Sequence, residues 1–135
     1  MKTPLRSYQD LKVWQVGVGL VTETYRVCRR FPSSESYRLT SQLTAAAVSI
    51  PANIAEGYGR AHRGDYLRFL SVANGSLKEW ETELIIAGRT GYVDDADLRA
   101  LMSKAADLGR MLRGLRASLT RRSLHPTPSH PTPSR

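Results

Sequence analysis

Ser49, Asn53, Glu56 and Arg60 recur every three to four residues, so on a helix they form one polar line. Glu56 and Arg60 stand one turn apart and can pair for about 0.3–0.5 kcal/mol when exposed. His62 follows in the stretch Gly59-Arg60-Ala61-His62-Arg63-Gly64, and Glu56 with His62 is an acid–base combination worth weighing. It is a poor one: the histidine belongs to a Gly-flanked basic loop with no residue placed to orient it, and proton transfer needs that orientation. None of His62, His125 and His130 is preceded by Glu at the Glu-x-x-His spacing of di-iron bundles, and the chain has no phosphate loop, Gly-x-Ser-x-Gly elbow or zinc spacing. The line therefore reads as structural, either a polar network between helices or a donor for the carbonyl that Pro51 deprives of its helical partner. No catalytic residue, metal site or cofactor is expected, and the chain is read as a non-enzyme. Cys28 is the single cysteine and reads as a buried, inert thiol.

The second chemistry available is anion binding. The chain has 135 residues and a formal charge of +8. Sorted by the ends of an antiparallel bundle, one end collects Lys2, Arg6, Lys12, Arg60, Arg63, Arg68, Arg110, Arg113, Arg116, Arg121 and Arg122 against Asp10, Glu56, Asp65 and Asp107, a net +7. The other end is neutral. Arginine suits phosphate because its planar fork can hold two oxygens at once, so the eight arginines from Arg60 to Arg122 on this end are the candidate nucleic-acid contacts. The competing reading is a solvated surface with favourable charge at a helix C-terminus. Nothing accompanies the charge that would read bases, so sequence-independent attraction to phosphate is expected.

Four helices must position these groups. The first is expected over 9–30, capped by Ser7 with Asp10 behind it, its core stripe being Leu11, Trp14, Val18, Val21, Tyr25 and Cys28. Val13, Val16, Leu20 and Val27 cluster on a second face of the same helix, which predicts packing against another subunit; an unusually wide core stripe is the alternative. The second helix carries Leu39, Leu43, Ala46, Ile50 and Ile54 in unbroken spacing across Pro51, predicting a continuous, kinked helix although an interior proline costs about 3 kcal/mol. The third carries Tyr66, Phe69, Ala73, Leu77, Trp80, Leu84 and Ala87. Val93, Asp94, Asp97 and Leu98 read as staple, N-cap, third-position acid and staple partner of a fourth helix with leucine or alanine at 98, 101, 105, 108, 112, 115 and 119.

Short connections make consecutive helices antiparallel, so the expected fold is all-α: an up-down-up-down four-helix bundle over 1–122. Residues 123–135, containing the tandem His-Pro-Thr-Pro-Ser, are expected to form a disordered tail, with a flexible spacer favoured over weak metal binding by its histidines. No run reaches the roughly 20 apolar residues of a membrane span and no secretory signal pattern opens the chain, so a bacterial cytoplasmic protein is expected.

Ser49-Ile50-Pro51-Ala52-Asn53-Ile54-Ala55-Glu56-Gly57, with Tyr8-Gln9-Asp10-Leu11-Lys12-Val13-Trp14 and Leu39-Thr40-Ser41-Gln42-Leu43, resembles the four-helix bundle family first noticed as open reading frames in intervening sequences of bacterial 23S ribosomal RNA genes. The resemblance covers roughly 7–119. It makes Ser49, Pro51, Asn53, Glu56 and Gly57 signature residues, and it implies a ring-like homopentamer and a likeness to the accessory bundles that work beside retroelement reverse transcriptases. An oligomeric, RNA-associated accessory protein is the expectation. A scaffold that binds another protein and uses its charge only for steering is the alternative.

Overall fold

The computed structural model describes residues 5–124, with side chains through residue 121. Four helices, α1 (Lys12–Cys28), α2 (Leu39–Tyr58), α3 (Arg63–Arg89) and α4 (Asp95–Leu124), account for most of them, and there is no strand among the described residues. α4 carries two residues past the expected bundle boundary; the rest of the proposed tail, and Lys2, lie outside the described residues.

Each helix packs on its chain neighbours and α1 closes on α4. The pairings run in opposite senses. Ser49 meets Ser76 while Gly57 lies against Phe69 and Tyr66; Leu77 reaches Gly109 while Gly88 lies against Leu98; Arg26 and Arg30 bond Asp97 while Lys12 and Val16 border Arg110 and Met111. These contacts bring the start of α1, the end of α2, the start of α3 and the later turns of α4 to one end of the molecule.

α2 is continuous through Pro51, which is buried. Gly17 on α1 lies against it: a Cβ there would stand in ordinary contact, 3.5 Å from the proline Cβ. The slim pair lets the two backbones approach closely. Gly57 does the same against α3, where a Cβ would fall 2.8 Å from Phe69 Cβ.

The core of α2, α3 and α4 follows the expected spacing, with Leu43, Ile50, Ile54, Leu70, Leu77, Trp80, Leu84, Leu108 and Leu112 fully enclosed. α1 does not. Its buried residues are Val13, Gly17, Leu20, Thr24, Val27 and Cys28, so Val13, Leu20 and Val27, expected at a subunit interface, face the monomer's own core. The stripe 13-17-20-24-27 keeps bundle spacing, but two of its members are not hydrophobic. Gly17 receives Pro51, and Thr24 is held by hydrogen bonds, accepting one from Trp80 Nε1 (3.0 Å) and donating one to the Leu20 carbonyl (2.7 Å). Of the residues expected to form the core seam, Trp14, Val18 and Val21 are only half-buried and Tyr25 is exposed. Val16 is half-buried beside α4.

The entry to α1 differs too. Ser7 caps a single 3-10 turn, Tyr8–Asp10, by accepting from Gln9 N, and Leu11 is extended, so the helix proper begins at Lys12. Asp10 reaches back to Arg6 N (2.9 Å) in place of Ser7, and Tyr8 packs edge-on against Trp14 at 5.4 Å. The turn buries Leu11. At the far end, Asp94 caps α4 through Asp97 N (2.8 Å), as its sequence predicts. Gly91, at φ 86°, closes α3, with Tyr92 N bonding the Ala87 carbonyl as in a Schellman motif.

Candidate nucleic-acid interface

The expected basic end is assembled in two groups. On the α2–α3 side, the Arg60 and Arg68 guanidinium carbons lie 4.7 and 4.6 Å from the ring centre of Phe69. Such stacking orients planar cations and leaves their edges available to oxygen acceptors. Both are also paired, Arg60 with Glu56 at 3.3 Å and Arg68 with Asp65 at 3.7 Å. Arg63 opens α3 beside them. The spacing of α3 marks Phe69 only as a core residue; it is buried and also serves as the platform for both arginines.

The second group rides on α4. Arg110 pairs with Asp107 one turn earlier. Arg113 and Arg121 are exposed and Arg116 half-buried, and none of the three has an ion pair among the described residues. The side chain of Arg122 lies outside the described residues. Between α1 and α4 this group borders an open slot of about 420 Å³ lined by Lys12, Val16, Lys104, Asp107, Arg110 and Met111. Lys104, expected at the neutral end and paired with Glu23, also lines this slot.

The opposite end is cross-linked instead. Arg26 bonds Glu23 (3.3 Å) and Asp97 (3.1 Å), Arg30 bonds Asp97 (3.3 Å), and Lys104 reaches Glu23 at 3.6 Å, lacing α1 to α4. The hydrogen bond from Arg26, joined by the Arg26 and Lys104 charges, lowers the Glu23 carboxyl from its ordinary value.

The polar line on α2 is a helix-interface network. Asn53 Nδ2 donates to the Ser49 carbonyl (2.7 Å) and to Ser49 Oγ (2.9 Å), and Ser49 Oγ meets Ser76 Oγ of α3 at 2.8 Å. The carbonyl it serves is that of Ser49, not that of Ala47, the one Pro51 leaves without its helical donor. Glu56 points away, to Arg60. His62 stands exposed just before α3. Among the described residues no three of His, Cys, Asp and Glu gather as a metal would need. The Cys28 thiol is buried and pushed up to about 11.

Residues 9–114 match the family described as 23S rRNA-intervening sequence protein. The chain belongs to that family. A solved structure described as a protein of unknown function from the S23 ribosomal protein family of Bacteroides thetaiotaomicron VPI-5482 is 18% identical, with a TM-score of 0.72 over 78% of this chain and 95% of that one. At that identity the likeness speaks for the fold. No curated protein matches the chain significantly. No helix among the described residues is long and apolar enough to cross a membrane.

In this family member one buried acid has no signature in the sequence. Glu83 on α3 is 7% exposed, its Oε1 has no hydrogen-bond partner among the described residues, and burial together with Glu79 one turn earlier pushes its carboxyl up to about 7. Its folded value lies above its ordinary 4.5, so the folded state holds the proton longer, and stability falls as pH rises from 4.5 to about 7 and then levels off. Glu83→Gln is expected to flatten this decline. In urea denaturation the variant should match the wild type near pH 4.5 and exceed it by on the order of 2 kcal/mol at about pH 8. Parallel stability curves for the two proteins would show that Glu83 ionises freely.

Proposed function

We propose that this chain is a non-enzymatic, RNA-associated accessory protein whose basic end attracts phosphate with little sequence preference. The observation that carries this reading is the run of Arg113, Arg116 and Arg121 along the later turns of α4, none with an acid partner among the described residues, on the end whose charges sum to +7. Among those residues, unpaired arginines such as Arg29 and Arg99 also occur at the other end, but there acids balance the basic residues in number. Guanidiniums without carboxylates need not break an ion pair to take up phosphate. The family is named for intervening sequences of the 23S rRNA, and RNA is taken as the polyanion on that association.

Assembly with copies of itself, with a pentamer as the expected ring, belongs to the same reading. The buried face of α1 is not free for it. Val48 on α2 and Val72, Ile85 and Ile86 on α3 are the large apolar side chains exposed along those helices, and they are the residues proposed for self-contact. Copies arranged with parallel axes would gather their basic ends on one side and bind RNA with avidity.

Size-exclusion chromatography with light scattering, run with and without single-stranded RNA of mixed sequence at low salt, tests both parts. The expected result is an oligomer that takes up RNA and releases it steeply as salt rises, because each phosphate contact frees counterions. A protein that binds no RNA at low salt is instead a scaffold, with Val48, Val72, Ile85 and Ile86 as its contact surface. A monomer at tens of micromolar (the order at which assembly linkage is ordinarily visible) removes the oligomer.

A further inference from the structure

The slot between α1 and α4 differs from the rest of the basic end in having an apolar floor. Val16 and Met111, both half-buried, form that floor, while Lys12, Lys104 and Arg110 border it with the single carboxylate of Asp107. The cations are spread along its length. Lys104 also reaches Glu23, two turns beyond Val16 on α1, whereas Lys12 stands one turn before Val16, so one ammonium marks each end. Asp107 is bonded to Arg110 on the α4 side. A carboxylate there repels a phosphate from the middle of the slot while the ends attract one. The volume, about 420 Å³, falls at the small end of ligand-sized clefts.

We infer that this slot takes one base of a single-stranded RNA, with the base lying on Val16 and Met111 and phosphates of the same strand held by Lys12 at one end and Lys104 at the other. The inference rests on the RNA-binding reading above and deepens it. A surface that only tracked phosphate would have no use for an apolar floor. A duplex, whose bases are stacked inward, cannot offer one to it. Every base has an apolar face, so the slot adds affinity for unpaired strands without demanding a sequence. Asp107 can accept a hydrogen bond from a base amino group, which disfavours uracil relative to cytosine, adenine and guanine.

The first comparison is made on the ligand and leaves the protein unchanged. Fluorescence anisotropy is measured for the full chain with a single-stranded RNA oligonucleotide and with an abasic strand of the same length, hence the same phosphates. The expected result is binding weaker by roughly two- to fivefold for the abasic strand, at or below the lower end for a base stacked on an aromatic side chain. Met111→Gln, which keeps the length of the side chain but makes the floor polar, is expected to bring the two strands toward equal affinity while leaving the salt slope unchanged. Equal affinity of the two strands for the wild-type protein overturns the slot and leaves phosphate binding standing. Failure of both strands to bind at low salt overturns the RNA reading itself. A base-dependent preference that persists undiminished in Met111→Gln places the base elsewhere on the surface and also overturns the inference.

Discussion

Replacing Trp80 with alanine is expected to remove about 3–5 kcal/mol of folding stability, a large share of the roughly 5–15 kcal/mol typical of a domain. Trp80 is fully buried on α3, and its indole spans the diagonal of the bundle to reach Thr24 on α1. Two effects combine in Trp80→Ala: the largest fully buried side chain becomes a cavity, and Thr24 Oγ1 is deprived of the N–H it accepts. They can be separated. Thr24→Val keeps the shape and strands the indole N–H in the core, at a cost of about 1–3 kcal/mol. Adding Trp80→Phe to Thr24→Val removes both hydrogen-bonding groups, so the double variant should be more stable than the two single costs added together predict. Urea midpoints measure all of these, with Trp14 left as the fluorescent reporter in the Trp80 variants. A cost for Thr24→Val below about 0.3 kcal/mol would show that the hydrogen bond carries no weight against its usual range.

The same pair explains which parts of the fold are legible in the sequence. Where a seam is built from leucine, isoleucine and alanine, as on α2 to α4, apolar spacing alone identifies the buried face, and the Asp94 cap and the helix running through Pro51 can be read directly. On α1 the buried stripe includes Gly17 and Thr24, each facing a partner on another helix: Gly17 serves close packing on Pro51, and Trp80 needs an acceptor. Hydrophobicity cannot register either need, so apolar spacing points to the neighbouring stripe and makes Val13, Leu20 and Val27 look like an intersubunit face. Glu83 is invisible for a related reason. Among Glu79, Glu81 and Glu83 it looks like one more surface acid, and only tertiary packing singles it out for burial. The basic end is legible as composition because charge adds without regard to geometry. The Phe69 platform is not, since it is a property of packing, whereas the pairs of Arg60 with Glu56 and of Arg110 with Asp107 join residues one turn apart and follow from spacing.

That distinction directs the second large effect toward α4. Arg113→Gln with Arg116→Gln is expected to weaken RNA binding by roughly one to two orders of magnitude at about 50 mM salt, and to reduce the logarithmic salt slope by about 1.4, or ~0.7 for each single-strand phosphate no longer held. These two are preferred over Arg60, Arg68 and Arg110, whose carboxylate partners already neutralise part of their charge. The control is Arg29→Gln with Arg99→Gln at the opposite end. Both of these residues are exposed and without an ion pair among the described residues, so the change in net charge is the same and no salt bridge is broken. A site predicts that the control keeps nearly all of its affinity and its slope. A diffuse cationic surface predicts equal weakening from the two double variants, because at a distance only total charge matters. Circular dichroism of both variants fixes that the helices are intact. The slope then counts how many phosphates α4 holds, a number that a bare affinity measured at one salt concentration cannot give.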